Sequence, residues 1–391
     1  MNLKAYTPSR IVGALRRRGL AYFKKLQYQP GKKPIAKGAV LFDSFNGKVV
    51  GDSPFDIFLE LQKTRPELKF FWTVAAGNVA PTGAIAVEFE TKTWFEALAT
   101  SQYIVANSAL PWYFRKQPGQ LYLQTWHGTP LKRLVRDLGE GELTQSYLDL
   151  MKREAEAWDY LISPNEYCSS VFPKAFGYSG KLLETGYPRN DRLTTHTPED
   201  RQRIRSKLGV TDTKTILALY APTWRDYQRT VTGSWEMVSH LEPDMKFPEG
   251  IQVMFRGHTN TNRSSSGKVA GSAIDVTKYP DITDLYIAAD VLITDYSSVM
   301  FDFSVTGKPM LFLAPDLERY RAERGFYFDF EAEAPGPILT TASQVIEILG
   351  KLPETAKTFQ SAYKHWQKKF NEWDDGHASK RVANEVWGSG E

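Results

Sequence analysis

The sequence contains a single cysteine, Cys168, among 391 residues. One thiol cannot form a disulfide within the chain, so the protein is unlike disulfide-stapled secreted domains and suits a reducing cytoplasm. No apolar run reaches about 18 residues, the length that a membrane-spanning helix needs. The N-terminal sequence MNLKAYTPSRIVGALRRRGLAYFKK lacks the apolar stretch and the cleavage site of a secretory signal. These absences predict a protein that is not exported, with Cys168 as a packed thiol.

Acidic residues are absent from residues 1–40, which carry ten Lys and Arg side chains. Because the whole chain has a formal charge of +4, the remainder has a net charge of −6. A nucleic-acid enzyme usually extends its positive field over the body, so we expect no nucleic-acid partner. Residues 8–30 place apolar and basic side chains on different helical faces. This segment is either an amphipathic helix for an anionic membrane surface or a helix docked on the protein.

Motifs typical of metal and nucleotide sites are also missing. The sequence has no His-Glu-x-x-His, no cysteine pair and no Asp-x-Asp in a strand-end loop. It has no Walker-type loop and no Gly-x-Gly-x-x-Gly after the first strand, and FDSFNGKVVGDSP (residues 42–54) is far looser than either motif. We therefore expect no metal and no required cofactor, with dependence on a divalent cation left open.

What the sequence does contain is an alternation of short apolar runs and helical stretches from residue 39 onward. This alternation predicts parallel sheets with helical crossovers, and hence two doubly wound domains. The first set of predicted strands covers residues 39–45, 68–74, 84–89, 103–108, 121–127 and 160–165. The second set covers residues 215–224, 251–258, 291–298 and 309–316.

The length of the chain also favours two domains. A helix is predicted at the boundary, where Thr197 is the N-cap, Pro198 takes the first helical position and Gly209 ends the helix. The predicted division has a basic membrane-surface segment, two Rossmann-like domains and a C-terminal helix that crosses back to the first domain. The corresponding ranges are 1–38, 39–196, 197–370 and 371–391.

Polar residues follow several predicted strands at the point where each strand ends. In doubly wound sheets, ligands bind beyond the carboxyl ends of the strands, so these residues are expected to face one cleft. A serine after the strand at residues 291–294 is expected to cap the next helix, and its neighbour could hold a phosphate. The residues at the strand ends are His127, Lys132, Arg225, Arg256, His258, Asp295, Ser297 and Ser298.

Two histidines stand out among these residues. His127 lies in QTWHGTPLKRL, just before a helix predicted to begin at Pro130 with Thr129 as its cap. A histidine there could accept a proton from a hydroxyl nucleophile, or could simply be hydrogen-bonded in a turn. His258, in FRGHTN, has the same two readings. If the substrate were a diphosphate, cations could neutralise it without a metal: Arg225, Arg256 and Lys132.

Six segments of the sequence, taken in chain order, resemble the motif series of the CDP-glycerol glycerophosphotransferase family. This family comprises the teichoic-acid primases and polymerases of bacterial cell-envelope synthesis. The resemblance runs from about residue 40 to 385. It implies a GT-B-like fold, in which two Rossmann-like domains face each other across a cleft, the first (residues 39–196) on the acceptor side and the second (residues 197–370) holding the CDP-activated donor. The segments are QTWHGTPLKRL, ETGYPRNDRL, YAPTWRD, FRGHTN, ITDYSSVMFDFSVTGKP and DDGHASKRV.

The resemblance further implies transfer of a polyol phosphate, preferably glycerol phosphate, from a CDP-activated donor to a hydroxyl of a lipid-linked acceptor, with release of CMP. It implies that His127 is the general base and that His258 binds or polarises the transferred phosphate. The two histidines should face each other across the cleft. The candidates for holding the donor and its phosphates are Arg225, Arg256, Asp295, Ser297, Ser298, Lys132 and Arg189.

The resemblance also implies a peripheral position at the cytoplasmic face of the membrane, held through residues 8–30. Two alternatives are retained. One is a GT-B glycosyltransferase that uses a nucleotide sugar, and the other is a non-catalytic protein that binds the membrane surface. The sequence leaves open the choice of glycerol or ribitol, the identity of the acceptor, and whether the enzyme adds one unit or many.

Overall fold

The computed structural model describes residues 19, 22–139, 141–223, 240–241, 245–257 and 273–388. Two predicted site residues, Arg225 and His258, lie outside these ranges, as does most of the predicted basic segment. In the described part, the chain forms two parallel sheets flanked by helices, which confirms the predicted fold class. None of the helices described there is both long and apolar enough to cross a bilayer.

The first domain contains a seven-stranded parallel sheet in the order β3-β2-β1-β4-β5-β6-β7. The last strand was not predicted because only Leu183 is buried among its four residues, which leaves no apolar run to recognise. The strands are β1 (Ala36–Asp43), β2 (Lys69–Val74), β3 (Ile85–Glu88), β4 (Ser101–Ala106), β5 (Leu121–Gln124), β6 (Tyr160–Ser163) and β7 (Lys181–Glu184). The helices are α1 (Asp52–Thr64), α2 (Lys92–Thr100), α3 (Gln145–Ala157), α4 (Glu166–Phe176) and α5 (Asp191–Thr195).

The second domain contains a six-stranded parallel sheet in the order β10-β9-β8-β11-β12-β13. Its two edge strands have two residues each, too few for a periodic pattern, and they were not predicted. The strands are β8 (Ile216–Tyr220), β9 (Ile251–Phe255), β10 (Ile274–Asp275), β11 (Val291–Thr294), β12 (Met310–Leu313) and β13 (Ile338–Leu339). The helices are α6 (Pro198–Lys207), α7 (Ile282–Ala288), α8 (Val299–Phe303), α9 (Leu317–Arg324), α10 (Phe330–Glu333), α11 (Ala342–Leu349), α12 (Leu352–Thr358) and α13 (Gln360–Phe370), and the chain ends in α14 (Ala378–Trp387), which packs on the first domain.

The clearest sequence signals are matched by the local structure. Every residue of β11 and β12 is buried, as expected for central strands that carry helices on both faces. Helix α6 begins as predicted: the Thr197 hydroxyl accepts from the Asp200 amide, and Pro198 occupies the first turn.

The helix predicted to begin at Pro130 does not form. Residues 128–134 are irregular and end in a 3-10 turn at Val135–Asp137. The backbone of this segment bonds to the second domain instead, because the Arg133 amide donates to the Gly325 carbonyl (3.1 Å) and the Leu131 carbonyl accepts from the Tyr327 amide (2.9 Å). Pairing across the domains has therefore replaced the local helix.

The last helix, α14, lies against the first domain. Its apolar face joins a buried cluster that contains Val40 and Phe42 of β1. Its first turn is held by the Asp191 carboxylate, which accepts from the amides of Ala378 and Ser379, both at 2.8 Å. The chain thus returns to the first domain after it has built the second.

Candidate functional site

A cleft of about 640 Å³ lies between the two domains, at the carboxyl ends of their strands. This is where doubly wound sheets bind ligands. Six of the nine predicted site residues line the cleft: His127, Lys132, Arg189, Arg256, Ser297 and Ser298. The chain therefore brings together, in three dimensions, residues from four separate sequence segments.

His127 is held in one orientation by its surroundings. Its Nδ1 atom lies 2.6 Å from the backbone carbonyl oxygen of Asn107. Because a carbonyl can only accept, Nδ1 carries the proton, and Nε2 of the neutral ring is left as the proton acceptor. The rings of Trp126 and Phe45 pack near the imidazole, at centroid distances of 4.2 and 5.5 Å. The ring is thereby fixed in the tautomer that a general base needs.

The electrostatic environment also favours neutral His127. Burial lowers the pKa of the imidazole from 6.5, and the positive charge of Arg189 acts in the same direction. The Asn107 carbonyl and the Asp52 carboxylate oppose this shift. With the pKa below 6.5, the imidazole is neutral at pH 7 and able to accept a proton.

Ser298 of the second domain lies against Gly128, the residue that directly follows His127. Ser298 directly precedes α8, but its side chain makes no capping hydrogen bond, so the predicted capping role is wrong for this hydroxyl. A Cβ atom added at Gly128 would lie 2.9 Å from the Ser298 Oγ atom. Only glycine at position 128 lets the two domains approach this closely without displacing the serine. Both Ser297 and Ser298 are partly exposed to the cleft.

Asp295 does not form part of the cleft wall. Its side chain is 1% exposed and accepts from the amides of Thr223 and Tyr296, at 2.8 and 2.6 Å. The Thr223 bond ties the end of β11 to the segment after β8, and that segment lines the cleft. Asp295 thus holds a cleft-lining segment in place through its bond to Thr223. Its predicted contact with the donor remains a prediction.

Arg189 joins the two domains. One terminal nitrogen donates to the Asp52 carboxylate of the first domain at 3.1 Å, and the other donates to the Asp302 carboxylate of the second domain at 2.9 Å. The side chain is 4% exposed. Two carboxylates thus surround a cation that the sequence predicted as a phosphate ligand, and its predicted role stays untested.

Arg256 and Lys132 bring positive charge to the cleft. The Arg256 guanidinium donates to the carbonyls of Val276 and Tyr279, at 3.1 and 2.9 Å. Burial lowers its pKa, but an arginine remains charged at neutral pH. The Lys132 ammonium lies 5.9 Å from the centre of the Tyr320 ring, at the junction of the domains.

One lining segment was missed by the sequence reasoning. The β1 loop (residues 44–52) contributes Phe45, Lys48, Val49 and Asp52 to the cleft. The rule that polar residues at strand ends bind ligands was applied to later strands but not to β1, whose end precedes this loop. Phe45, Asn46 and Asp52 have positive φ angles of 51°, 55° and 63°, which is uncommon for residues other than glycine. Sequence patterns give no signal for that backbone.

Among the residues that the structure describes, no group of three or more His, Cys, Asp or Glu is placed to hold a metal ion. The predicted absence of a metal stays a prediction, since His258 lies outside the described ranges.

Cys168 is fully buried, and burial raises the pKa of its thiol well above the usual value. Such a thiol is inert, in agreement with a packing role.

A family model matches nearly the whole chain. The model of CDP-glycerol:poly(glycerophosphate) glycerophosphotransferases matches residues 26–388. The chain belongs to this family. The resemblance drawn from six short motifs is therefore confirmed over nearly the whole chain.

Curated relatives include a protein of Bacillus subtilis and a protein of Staphylococcus aureus. A teichoic acid poly(glycerol phosphate) polymerase of Bacillus subtilis is 37% identical over 378 residues, which is 93% of this chain and 50% of the relative. A teichoic acid glycerol-phosphate transferase of Staphylococcus aureus is 36% identical over 384 residues, with coverage of 93% and 95%. The chain thus spans about half the length of the first relative and nearly all of the second.

Solved structures of the wall teichoic acid polymerase TagF have the same architecture. One variant superposes with a TM-score of 0.84 at 31% identity, with 98% of each chain covered. A variant soaked with CDPG superposes with a TM-score of 0.82 at 30% identity and the same coverage. The predicted arrangement of two facing domains is confirmed by this similarity.

Proposed function

We propose that the protein transfers glycerol phosphate from CDP-glycerol to a hydroxyl of a lipid-linked acceptor and releases CMP, as in the synthesis of teichoic-acid-type polymers. The observation that carries this proposal is the arrangement of His127. Its Nδ1 proton is held by the Asn107 carbonyl, and its Nε2 atom remains the acceptor in a cleft that also contains Arg256 and Ser298. Membership of the family and the activities named for its relatives support the same reaction.

The reaction needs one base and local positive charge. Nε2 of His127 takes the proton of the acceptor hydroxyl, and the hydroxyl oxygen forms a bond to the phosphorus that carries glycerol. The bond between this phosphorus and the bridging oxygen breaks, and CMP leaves with the electron pair. The Asn107 carbonyl then stabilises the imidazolium, because it accepts a hydrogen bond from the charged ring.

The transferred phosphate gains charge from the attacking oxygen and must be neutralised. In the proposal, Arg256 and Lys132 supply positive charge, while Ser297 and Ser298 donate hydrogen bonds to the donor phosphates. In the proposal, His258 polarises the transferred phosphate and Arg225 neutralises the donor. Both residues lie outside the described ranges. We retain Arg189 and Asp295 as candidates next to the donor site, with the contacts described above.

The decisive experiment is a measurement of CMP release. The purified full chain is offered CDP-glycerol or CDP-ribitol with a lipid-linked glycerophosphate acceptor in detergent. CMP release that depends on the acceptor with CDP-glycerol is the expected result, and release only with CDP-ribitol would change the polyol. No CMP from either donor, together with binding of UDP or GDP, would replace this proposal with a nucleotide-sugar glycosyltransferase.

We also propose that the enzyme works at an anionic membrane surface, through the predicted segment at residues 8–30. The described part of this segment supports the idea. In the helix at residues 22–27, Tyr22, Phe23 and Leu26 are 61%, 57% and 55% exposed. The helix is also tied to the first domain, because Lys24 forms an ion pair with Glu90. A docked helix with its apolar side chains outward is suited to a lipid surface.

Vesicle flotation tests this location. We expect the full chain to float with vesicles that contain anionic lipid and to stay in solution with purely zwitterionic vesicles. The triple substitution Tyr22→Ser, Phe23→Ser and Leu26→Ser should reduce the bound fraction several-fold. Val79→Ser is the matched control, because Val79 is 81% exposed but lies outside this helix. Equal binding of the triple variant and the wild type would refute this use of the helix.

A further inference from the structure

The two walls of the cleft differ in the positive charge that they offer. On the first-domain side, Arg189 is already surrounded by the carboxylates of Asp52 and Asp302. The Lys132 ammonium lies 5.9 Å from the centre of the Tyr320 ring in the second domain. A third cation, Lys48, also lines the cleft; it is exposed and belongs to the β1 loop of the first domain. The reaction described above assigns it no role.

The backbone around Lys48 is firmly held. Gly47 has a φ angle of 75°, and a Cβ atom there would lie 2.5 Å from the backbone of Val74 at the end of β2. The Gly47 carbonyl accepts from the Ala75 amide at 2.8 Å. The Asn78 side chain donates to the carbonyls of both Gly47 and Lys48, at 3.1 and 3.2 Å. The base of the lysine is thus fixed relative to the sheet.

The same loop is linked to the catalytic base. The Lys48 amide donates to the Phe45 carbonyl at 3.3 Å, so one tight turn separates the two residues. The Phe45 ring packs near the His127 ring, and the Phe45 amide donates to the Asn107 side-chain oxygen at 2.9 Å. Since the Asn107 carbonyl also holds His127, one asparagine positions both the base and the loop that carries Lys48.

The substrate chemistry calls for a cation at this place. The reacting hydroxyl must lie against Nε2 of His127, while the donor phosphates face Ser298 and Arg256 on the opposite wall. The rest of the acceptor then runs along the first domain. In a growing glycerol phosphate chain, the group next to the terminal glycerol is a phosphodiester, which carries one negative charge. An ammonium group is a suitable ligand for it.

We propose that Lys48 binds the acceptor phosphodiester that lies one glycerol unit before the reacting hydroxyl. The inference rests on the proposed function and deepens it. It makes Lys48 a specificity residue, which favours acceptors that already end in glycerol phosphate over acceptors that end in a neutral sugar. Chain extension is thereby favoured over the addition of a first unit.

Binding of a small probe tests the subsite without turnover. Glycerophosphoglycerol is titrated by calorimetry into the full chain, in the presence of CMP. We expect Lys48→Met to raise the Kd about tenfold and Lys48→Arg to restore most of the affinity. Lys63→Met is the matched control, because Lys63 is exposed at the end of α1, away from the cleft walls, and it should leave the Kd unchanged. Equal probe affinity in Lys48→Met and wild type would overturn the proposal.

Steady-state kinetics separate the acceptor subsite from the donor site. With a glycerophosphate-terminated acceptor, Lys48→Met should raise the acceptor KM about tenfold and leave kcat within about threefold, while the Kd for CDP-glycerol is unchanged. A rise in the donor Kd in place of the acceptor KM would overturn the assignment. If the wild type releases no CMP at all, the proposed function fails, and the probe titration still decides whether Lys48 binds a phosphodiester.

Discussion

The Nδ1 atom of His127 and the backbone carbonyl oxygen of Asn107 lie 2.6 Å apart, and this contact fixes which ring nitrogen faces the cleft. The acceptor is a main-chain atom, so a side-chain substitution at position 107 does not remove it directly. The Asn107 side chain accepts from the Phe45 amide and donates to the Ser44 hydroxyl, which holds the segment in place. The orientation of the base thus depends on the β1 loop as well as on its own strand.

Replacement of His127 should nearly abolish the transfer of glycerol phosphate and leave the binding of CDP-glycerol intact. We expect His127→Ala to lower kcat about 100- to 10,000-fold, the range usual for loss of a general base. The Kd for CDP-glycerol, measured by calorimetry, should change less than twofold. Full turnover in this variant would rule out His127 as the base.

The activity of the wild type should depend on pH in a defined direction. Because the protonated ring cannot accept a proton, and burial holds its pKa below 6.5, kcat/KM should reach a plateau toward alkaline pH and fall in acid with unit slope, with a midpoint below pH 6.5. The profile is measured by CMP release under conditions in which the fold is intact by circular dichroism. An activity that fell as the pH rose from 6 to 8 would contradict a neutral histidine base.

Ser298 provides a test of the donor side. Since its hydroxyl makes no capping bond, Ser298→Ala should leave the thermal midpoint unchanged and raise the Kd for CDP-glycerol about five- to tenfold. Ser206→Ala is the control, because Ser206 is exposed on α6. Gly128→Ala should weaken donor binding in the same way, since its methyl group would meet the Ser298 Oγ atom. An unchanged donor affinity in both cleft variants would exclude this serine as a donor ligand.

The ion pairs of Arg189 predict a large loss of stability. Arg189→Met leaves the Asp52 and Asp302 carboxylates buried without their cation, which costs about 3 to 5 kcal/mol of unfolding free energy. Chemical denaturation measures this change. Removal of one charge by Asp302→Asn in the same chain should recover part of the loss. Arg203→Met, in an exposed pair with Asp200, should have no measurable effect, and equal stability of the two arginine variants would contradict the argument.

Removal of metals tests the expectation of a site without a required cofactor. If cationic side chains alone neutralise the donor, dialysis against EDTA should change the rate of CMP release less than twofold. Restoration of a lost activity by Mg²⁺ but not by spermidine would instead establish a specific divalent cation in the reaction.

Local sequence patterns were sufficient for most of the fold. Continuous apolar runs such as VLIT and MLFL identify central strands, and the capping residues of α6 identify its start, because both signals depend on neighbouring residues. The short edge strands β7, β10 and β13 bury too few side chains to give such a signal. The segment after His127 was predicted as a helix, since its bonds to the second domain cannot be read from local sequence.

The site was predicted in part for a similar reason. The rule that doubly wound sheets bind ligands beyond the carboxyl ends of their strands correctly predicted that His127, Arg256 and the two serines share one cleft. The partners of Arg189 are 137 and 113 residues away along the chain, and no local pattern connects them. One of the two serines, Ser297 or Ser298, was expected to cap the next helix, but the Ser298 hydroxyl at its N-cap makes no capping bond.

The return of α14 to the first domain makes the second domain an insertion that is anchored at both ends. The chain leaves the first domain near α5 and comes back at α14, and the Asp191 carboxylate bonds the start of α14 beside the point of departure. The two covalent connections between the domains, after α5 and before α14, therefore lie side by side, and any rotation of one domain against the other must take place about them. A deletion of the last helix would remove not a tail but one face of the domain that carries His127.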